Sequence, residues 1–270
     1  MNGLLTYNGF TLEYFEFGQG EKILFAFHGF NRNAHDFEVF ESSLGKHYKI
    51  VSFNIFFYGK SRSEEKPEKA FKMKDLEGLI NTYLEKNNID KFSVMGFSLG
   101  GRFALACIEL FPEKIRSAYL FAPDGIKINK WYKVLSKVKI GWKLYEHLIE
   151  KPDLFFKLSL YLKNKGIVSE RLYSFANYHM QSKAQRKKIY DVWMILRELF
   201  PDIKKVQKSI NHYDITVHLF FGLHDAVIPP SIGKDFVKGL KNPKGLHLVH
   251  MGHNLISYQM NSYLNKVLQK

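Results

Sequence analysis

Six short apolar runs, four to seven residues long and mostly separated by helix-length segments, limit what this chain can fold into: Lys22–Phe27, Ile50–Phe53, Phe92–Met95, Ala118–Phe121, Ile215–Phe221 and Leu246–Val249. A run that is apolar throughout, rather than at alternate positions, suits a strand covered on both faces, as in a parallel sheet. Between the runs, Asp75–Leu84 and Leu99–Phe111 repeat apolar residues at three- and four-residue spacing, and Pro112 closes the second. This alternation predicts an α/β fold, a mainly parallel sheet flanked by helices. Leu4–Thr6 and Thr11–Phe17 flank Asn8-Gly9, a dipeptide suited to a tight turn with positive φ, so an antiparallel hairpin should open the sheet.

The alternation lapses between Gly125 and about Ser209, where amphipathic stretches such as Lys133–Glu150, Leu154–Leu162 and Arg186–Phe200 replace the strand signal. A helical cap inserted into a sheet domain follows, with the core in 1–125 and 210–270 and the cap in 126–209. Ligands of open parallel sheets bind beyond the carboxyl ends of the strands, and an insert leaving from such an end is expected to roof that crevice. At 270 residues, one large domain carrying a lid fits better than two independent domains.

Charge follows the same division. Residues 126–210 hold 19 basic and 7 acidic side chains, a net +12, against a net +2 for the rest of the chain. Aromatics interleave with the lysines in Lys130-Trp131-Tyr132-Lys133 and Gly141-Trp142-Lys143-Leu144-Tyr145. Two readings stand: a face for an anionic membrane surface or an anionic substrate, or solvated lysine in a chain with 33 Lys and 7 Arg. Base and phosphate readers lean on arginine forks, and no helix-turn-helix, zinc-finger or RRM pattern is present, so nucleic acid is not an expected partner. Cys107 is the single cysteine, which excludes an intramolecular disulfide and fits a reducing compartment. With no apolar leader and no run of the ~18–20 residues that span a bilayer, a soluble cytoplasmic protein is expected.

The most specific local feature is Ser93-Val94-Met95-Gly96-Phe97-Ser98-Leu99-Gly100-Gly101, a strand, a sharp turn and a helix start built on G-x-S-x-G. A serine on such a turn projects its hydroxyl into the crevice, and the glycines let neighbouring chain pass without a Cβ clash. The helix that begins beneath it offers unpaired amides and a positive dipole end to an oxyanion. A serine hydroxyl needs a base, and the base an orienting acid. Asp225 follows the run Ile215–Phe221, and His253 follows Leu246–Val249, so Ser98, Asp225 and His253 fall in that order just beyond three strand ends.

On these residues the chain resembles an α/β-hydrolase-fold serine hydrolase with a helical cap, over essentially its whole length. The resemblance implies Gly96–Gly100 as nucleophile elbow, with Ser98 as nucleophile, Asp225 as acid and His253 as base. It also implies His28-Gly29-Phe30 as oxyanion loop, with the backbone N–H groups of Phe30 and Leu99 as the two oxyanion donors. Asp124 also ends a strand and is the rival for the acid. His28, Phe97, Tyr58 and Asp124 are candidate substrate contacts, His28 being better suited to ordering the oxyanion loop. His250 and His253 lack a third ligand group, so no metal is expected, and no motif implies a cofactor.

One segment departs from the family pattern. Relatives commonly carry an Asp and a first Gly where Asn54-Ile55-Phe56-Phe57-Tyr58-Gly59-Lys60-Ser61 has Asn54 and Phe57, exchanging a buried carboxylate and a tight turn for neutral and bulky groups. Phe56, Phe57 and Tyr58, with Phe30 and Phe97, are candidates to wall the crevice and favour an apolar acyl or aryl group. The expected reaction is hydrolysis of a carboxylic ester through an acyl-serine. Thioester or C–C bond hydrolysis by the same three side chains, or small-molecule reception without turnover, are the alternatives.

Overall fold

The computed structural model describes residues 2–64, 69–127, 139–242 and 245–269. Strands β1 (Asn2–Tyr7) and β2 (Phe10–Phe17) form the opening hairpin, Tyr7 pairing with Phe10 across Asn8 and Gly9, whose φ values of 50° and 77° match the tight turn. The remaining strands are β3 (Lys22–Phe27), β4 (Tyr48–Phe53), β5 (Arg62–Ser63), β6 (Phe92–Phe97), β7 (Ile115–Phe121), β8 (Thr216–Gly222) and β9 (Leu246–Val249). They lie in the order β1-β2-β4-β3-β6-β7-β8-β9, with β5 beside β2. Pairing is antiparallel across β1, β2 and β4, and parallel from β4 to β9.

Order and chain direction fix where a ligand can sit. From β3 the chain runs to β4 on one side and returns to β6 on the other, so the sheet switches direction between β3 and β6. A crevice opens at the carboxyl ends of the strands at such a point. There β3 runs into His28-Gly29-Phe30 and β6 into Ser98. Helices α1 (Met73–Lys86) and α2 (Leu99–Leu110) cover the sheet, with α7 (Ile203–His212), α8 (Pro230–Val237) and α9 (Met260–Leu268) in the same unit. The core is aromatic: Phe25 is wholly buried, its ring 4.8–5.5 Å from those of Phe53, Tyr83 and Phe92.

The chain divides into two compact units, one of residues 1–66, 71–127 and 198–270, the other of residues 67–70 and 128–197. Residues 128–197 of the second are inserted between β7 and β8. Its described helices are α3 (Lys139–Glu150), α4 (Asp153–Asn164), α5 (Glu170–Met180) and α6 (Lys183–Ile195). Buried Arg186 ties them together by donating to the carbonyls of Ile149, Met180 and Gln181 at 2.8–3.1 Å, which lie at the ends of α3 and α5 where helix carbonyls lack partners. The sequence reading extends the insert to 209, whereas α7 belongs to the first unit, packing its apolar side on α2. Lys130-Trp131-Tyr132-Lys133 and the first part of the Lys133–Glu150 stretch lie outside the described residues. No helix among the described residues is long and apolar enough to cross a membrane.

At the amino ends of β8 and β9, opposite Ser98, a cleft of about 480 Å³ is lined in part by His218, Lys241, His247 and Tyr263. Burial, then the neighbouring His247, pushes the His218 pKa down to about 4 from 6.5. The unfolded chain therefore binds a proton at His218 that the folded chain refuses between those values, so this residue makes stability fall as pH drops from 6.5 towards 4. Urea unfolding across that range should show a shallower decline for His218→Gln than for the unaltered chain.

Candidate active site

Ser98 sits at φ 50° and ψ −118°, a left-handed conformation that costs a non-glycine residue ~1–3 kcal/mol. The surroundings hold it there. Ser98 N–H donates to the Phe121 carbonyl at 3.0 Å, and the Ser98 carbonyl accepts from the amides of Gly101 and Asp124, both at 2.8 Å. The glycines make this turn sterically possible: a Cβ on Gly100 would lie 1.8 Å from the Phe27 carbonyl oxygen, and one on Gly96 2.6 Å from that of Gly100. Ser98 is consequently raised on the tip between β6 and α2. The amide of Leu99, first residue of α2, belongs to the set that helix carbonyls cannot satisfy.

His253 Nε2 lies 3.0 Å from Ser98 Oγ, and its Nδ1 lies 2.7 Å from Asp225 Oδ2. The Asp225 side chain is wholly buried, yet both oxygens are bonded, because Oδ1 accepts from the amides of Val227 and Ile228 at 2.8 and 2.9 Å. An ionised carboxylate only accepts, so Nδ1 carries the imidazole proton and the Nε2 lone pair faces the serine hydroxyl. The Phe97 ring, 5.2 Å from the imidazole, packs beside it. The arrangement can take a proton from Ser98 and steady the resulting imidazolium.

The loop after β3 passes close to this serine, since a Cβ on Gly29 would lie 3.3 Å from Ser98 Cβ. His28, 1% exposed, accepts from Ile55 N–H at Nε2 (3.0 Å), which leaves Nδ1–H to donate to the Gly29 carbonyl at 2.7 Å. That carbonyl shares a peptide plane with Phe30 N–H, so the imidazole fixes the direction of the amide. Tyr58 Oη accepts from Asn31 N–H at 2.5 Å, and its ring meets His28 edge-on at 4.9 Å. Burial holds the Tyr58 phenol well above its ordinary pKa, so it stays protonated.

A carboxylate from β2 reaches the altered segment. Glu13 of β2, 6% exposed, accepts from Asn54 Nδ2 at 2.8 Å and Lys60 N–H at 2.9 Å, while Asn54 Oδ1 accepts from Ala34 N–H at 2.8 Å. A carboxylate reaching in from β2 and a neutral amide after β4 thus tie the turn at Lys60 and the chain at Ala34 together. Glu13 carries no local motif, and only the partnership with Asn54, 41 residues away, reveals it. Asp225 followed by amides two and three residues on is, by contrast, a readable Asx-type turn.

Other predicted positions resolve differently. Asp124 pairs with buried Arg102, whose guanidinium lies 5.1 Å from the Phe200 ring, so the rival acid has its own cation while Asp225 has the imidazole. Of the residues read as substrate contacts, His28 and Tyr58 bond the chain itself, and Asp124, 28% exposed, pairs with Arg102 through one oxygen. Phe56, read as crevice wall, is wholly buried between Phe10 and Phe71 in the core, whereas Phe30 and Phe57 stay half-buried. Cys107 is no rival nucleophile, because complete burial raises its thiol pKa. Among the described residues no group of three or more His, Cys, Asp or Glu side chains is disposed to hold a metal ion.

Comparison with known proteins agrees with this architecture. The sequence pattern of the alpha/beta hydrolase fold family matches residues 22–258. A curated relative, 2-hydroxy-6-oxononadienedioate/2-hydroxy-6-oxononatrienedioate hydrolase 1 from Pseudomonas putida, is 21% identical over 90% of this chain and 85% of its own. A thermophilic esterase from Thermogutta terrifontis superposes with a TM-score of 0.66 at 13% identity, covering 100% of this chain and 97% of that one. Carboxylesterase CesB from Bacillus subtilis gives 0.62 at 15%, covering 100% and 90%. At these identities the two structures speak for the fold alone.

The Tyr58 contact makes a stability prediction. Tyr58→Phe keeps the ring against His28 but leaves Asn31 N–H without its acceptor, and should lower the unfolding free energy by ~1–3 kcal/mol in chemical denaturation. An unchanged midpoint would mean that water replaces the phenol.

Proposed function

The chain belongs to the alpha/beta hydrolase fold family, and on that premise we propose that it is a serine hydrolase that cleaves a carboxylic ester. The observation that carries this reading is the continuous hydrogen-bonded path from Asp225 through His253 to the Ser98 hydroxyl. In the first step His253 Nε2 takes the hydroxyl proton as Ser98 Oγ bonds to the ester carbonyl carbon. The tetrahedral oxyanion is received by the amides of Phe30 and Leu99, the former aimed by His28. Collapse expels the alcohol, which leaves with the proton from His253, and forms an acyl-serine. Water then gives a proton to His253 and attacks the acyl carbon, and collapse of this second tetrahedral species releases the acid as His253 returns the proton to Ser98 Oγ. Asp225 remains ionised throughout and holds the imidazole in one tautomer.

Half-buried Phe30 and Phe57, with Phe97 beside the imidazole, favour an apolar acyl or aryl group over a polar one. A second reading, hydrolysis of a vinylogous C–C bond by the same three side chains, draws on the Pseudomonas putida relative, whose named substrates are dicarboxylates. Arg32, two residues past Phe30 and hydrogen-bonded to Asn254, the neighbour of His253, would reach a substrate carboxylate only by sharing or giving up its ion pair with Asp36 at 3.4 Å.

Turnover of short p-nitrophenyl acyl esters tests the proposal. Ser98→Ala should lower kcat/KM by about 10⁴-fold or more, and Asp225→Asn by about 10⁴-fold, because the amide leaves the imidazole in the wrong tautomer. Faster turnover of a 2-hydroxy-6-oxo-dienoate than of any ester would favour the C–C reading. Ligand binding without Ser98-dependent turnover of either would make the chain a receptor.

A further inference from the structure

Helix α4 is built in a way that its place in the second unit does not require. None of its residues is buried, and its outer face carries Leu154, Leu158 and Tyr161, which are 66%, 53% and 56% exposed. These positions fall at i, i+4 and i+7, a single stripe along the helix. The opposite side makes the packing contacts: Ser159 reaches Asn177 at 3.5 Å, and Lys163 pairs with Glu170 at 2.9 Å. The apolar stripe therefore points away from the helix that α4 packs on. Ile167, 69% exposed, follows directly on the turn after α4.

Cations predominate along this stripe, Asp153 at the start of α4 being the one acidic side chain of the helix. Lys157 lies within the helix on one flank, and Lys151 and Lys165 lie just beyond its two ends, all three exposed. The Lys165 ammonium lies 5.8 Å from the Tyr161 ring centroid. An exposed leucine and tyrosine stripe edged by lysine is the composition of a helix that rests in the headgroup layer of an anionic bilayer, leucines towards the acyl chains and ammonium groups towards phosphate. A second copy of the chain fits less well, because a two-fold contact along this stripe sets lysine against lysine.

We infer that the outer face of α4 is a docking surface for an anionic lipid bilayer, through which the protein associates peripherally with a membrane. This surface is independent of the hydrolytic reading.

Co-sedimentation of the full chain with vesicles tests it, using phosphatidylcholine alone or mixed with phosphatidylglycerol. The anionic vesicles should bind at least about tenfold more protein at low salt, with the excess lost at high salt. Leu154→Ser with Leu158→Ser should weaken partitioning by about tenfold, and Lys157→Ala by about fivefold. Because all three side chains are exposed, circular dichroism and p-nitrophenyl ester turnover should match the unaltered chain. Absence of binding to either vesicle overturns the inference. So does a dimer in analytical ultracentrifugation that the two leucine substitutions dissociate, since the face would then be a contact between copies. Absence of ester turnover alongside vesicle binding would count against the proposed chemistry and leave the surface standing.

Discussion

The left-handed backbone at Ser98 is the constraint on which the rest of the site depends. A side chain on this turn stands clear of both β6 and α2, which is how one hydroxyl reaches His253 Nε2 at 3.0 Å. The conformation is unfavourable in isolation and persists because the surrounding backbone leaves no alternative. Phe121 and Asp124, from the neighbouring strand and its exit, bond the serine's own amide and carbonyl. Gly96 and Gly100 vacate the space into which the turn folds. Sheet order, helix start and the geometry of Ser98 are therefore a single arrangement, and a change in one reaches the others.

Much of this was legible before any coordinates. Continuous apolar runs betray strands buried on both faces, and β3 and β9 match Lys22–Phe27 and Leu246–Val249 residue for residue. Ser98, Asp225 and His253 each follow such a run, so a parallel sheet alone brings them to one edge. Edges were harder to read. β6 continues through Gly96 to Phe97, because pairing with β7 overrides the weak strand preference of glycine. Helix α5 gives little sequence signal because Glu170–Met180 mixes polar and aromatic residues without a clean stripe. The lapse of strand signal runs on to about Ser209 and so takes in α7, whose buried Val206 and Ile210 belong to the sheet domain.

What sequence could not disclose were partnerships between distant polar groups. Asn54 looks like the loss of a carboxylate until Glu13 is seen reaching it from β2. Tyr58 looks like a wall of the crevice until its hydroxyl is found on Asn31 N–H. Asp124 competes with Asp225 for the imidazole until Arg102 is found beside it. In each case the residue type was informative and the role was not, because a buried polar atom is defined by its partner. His28 and Tyr58 bond the backbone of the loop after β3, at Gly29 and Asn31, while Glu13 and Asn54 bond the segment after β4.

The central claim is that Ser98 is activated by His253. Intact-mass measurement after exposure to a fluorophosphonate tests it most directly, because the reagent bonds only to an activated hydroxyl and requires no knowledge of the substrate. A single adduct mapping to the Ser98 peptide, formed by the unaltered chain and lost in His253→Ala with the fold intact by circular dichroism, is the predicted result. An unaltered chain that takes up no adduct, or a His253→Ala chain that labels at the same rate, would contradict the account.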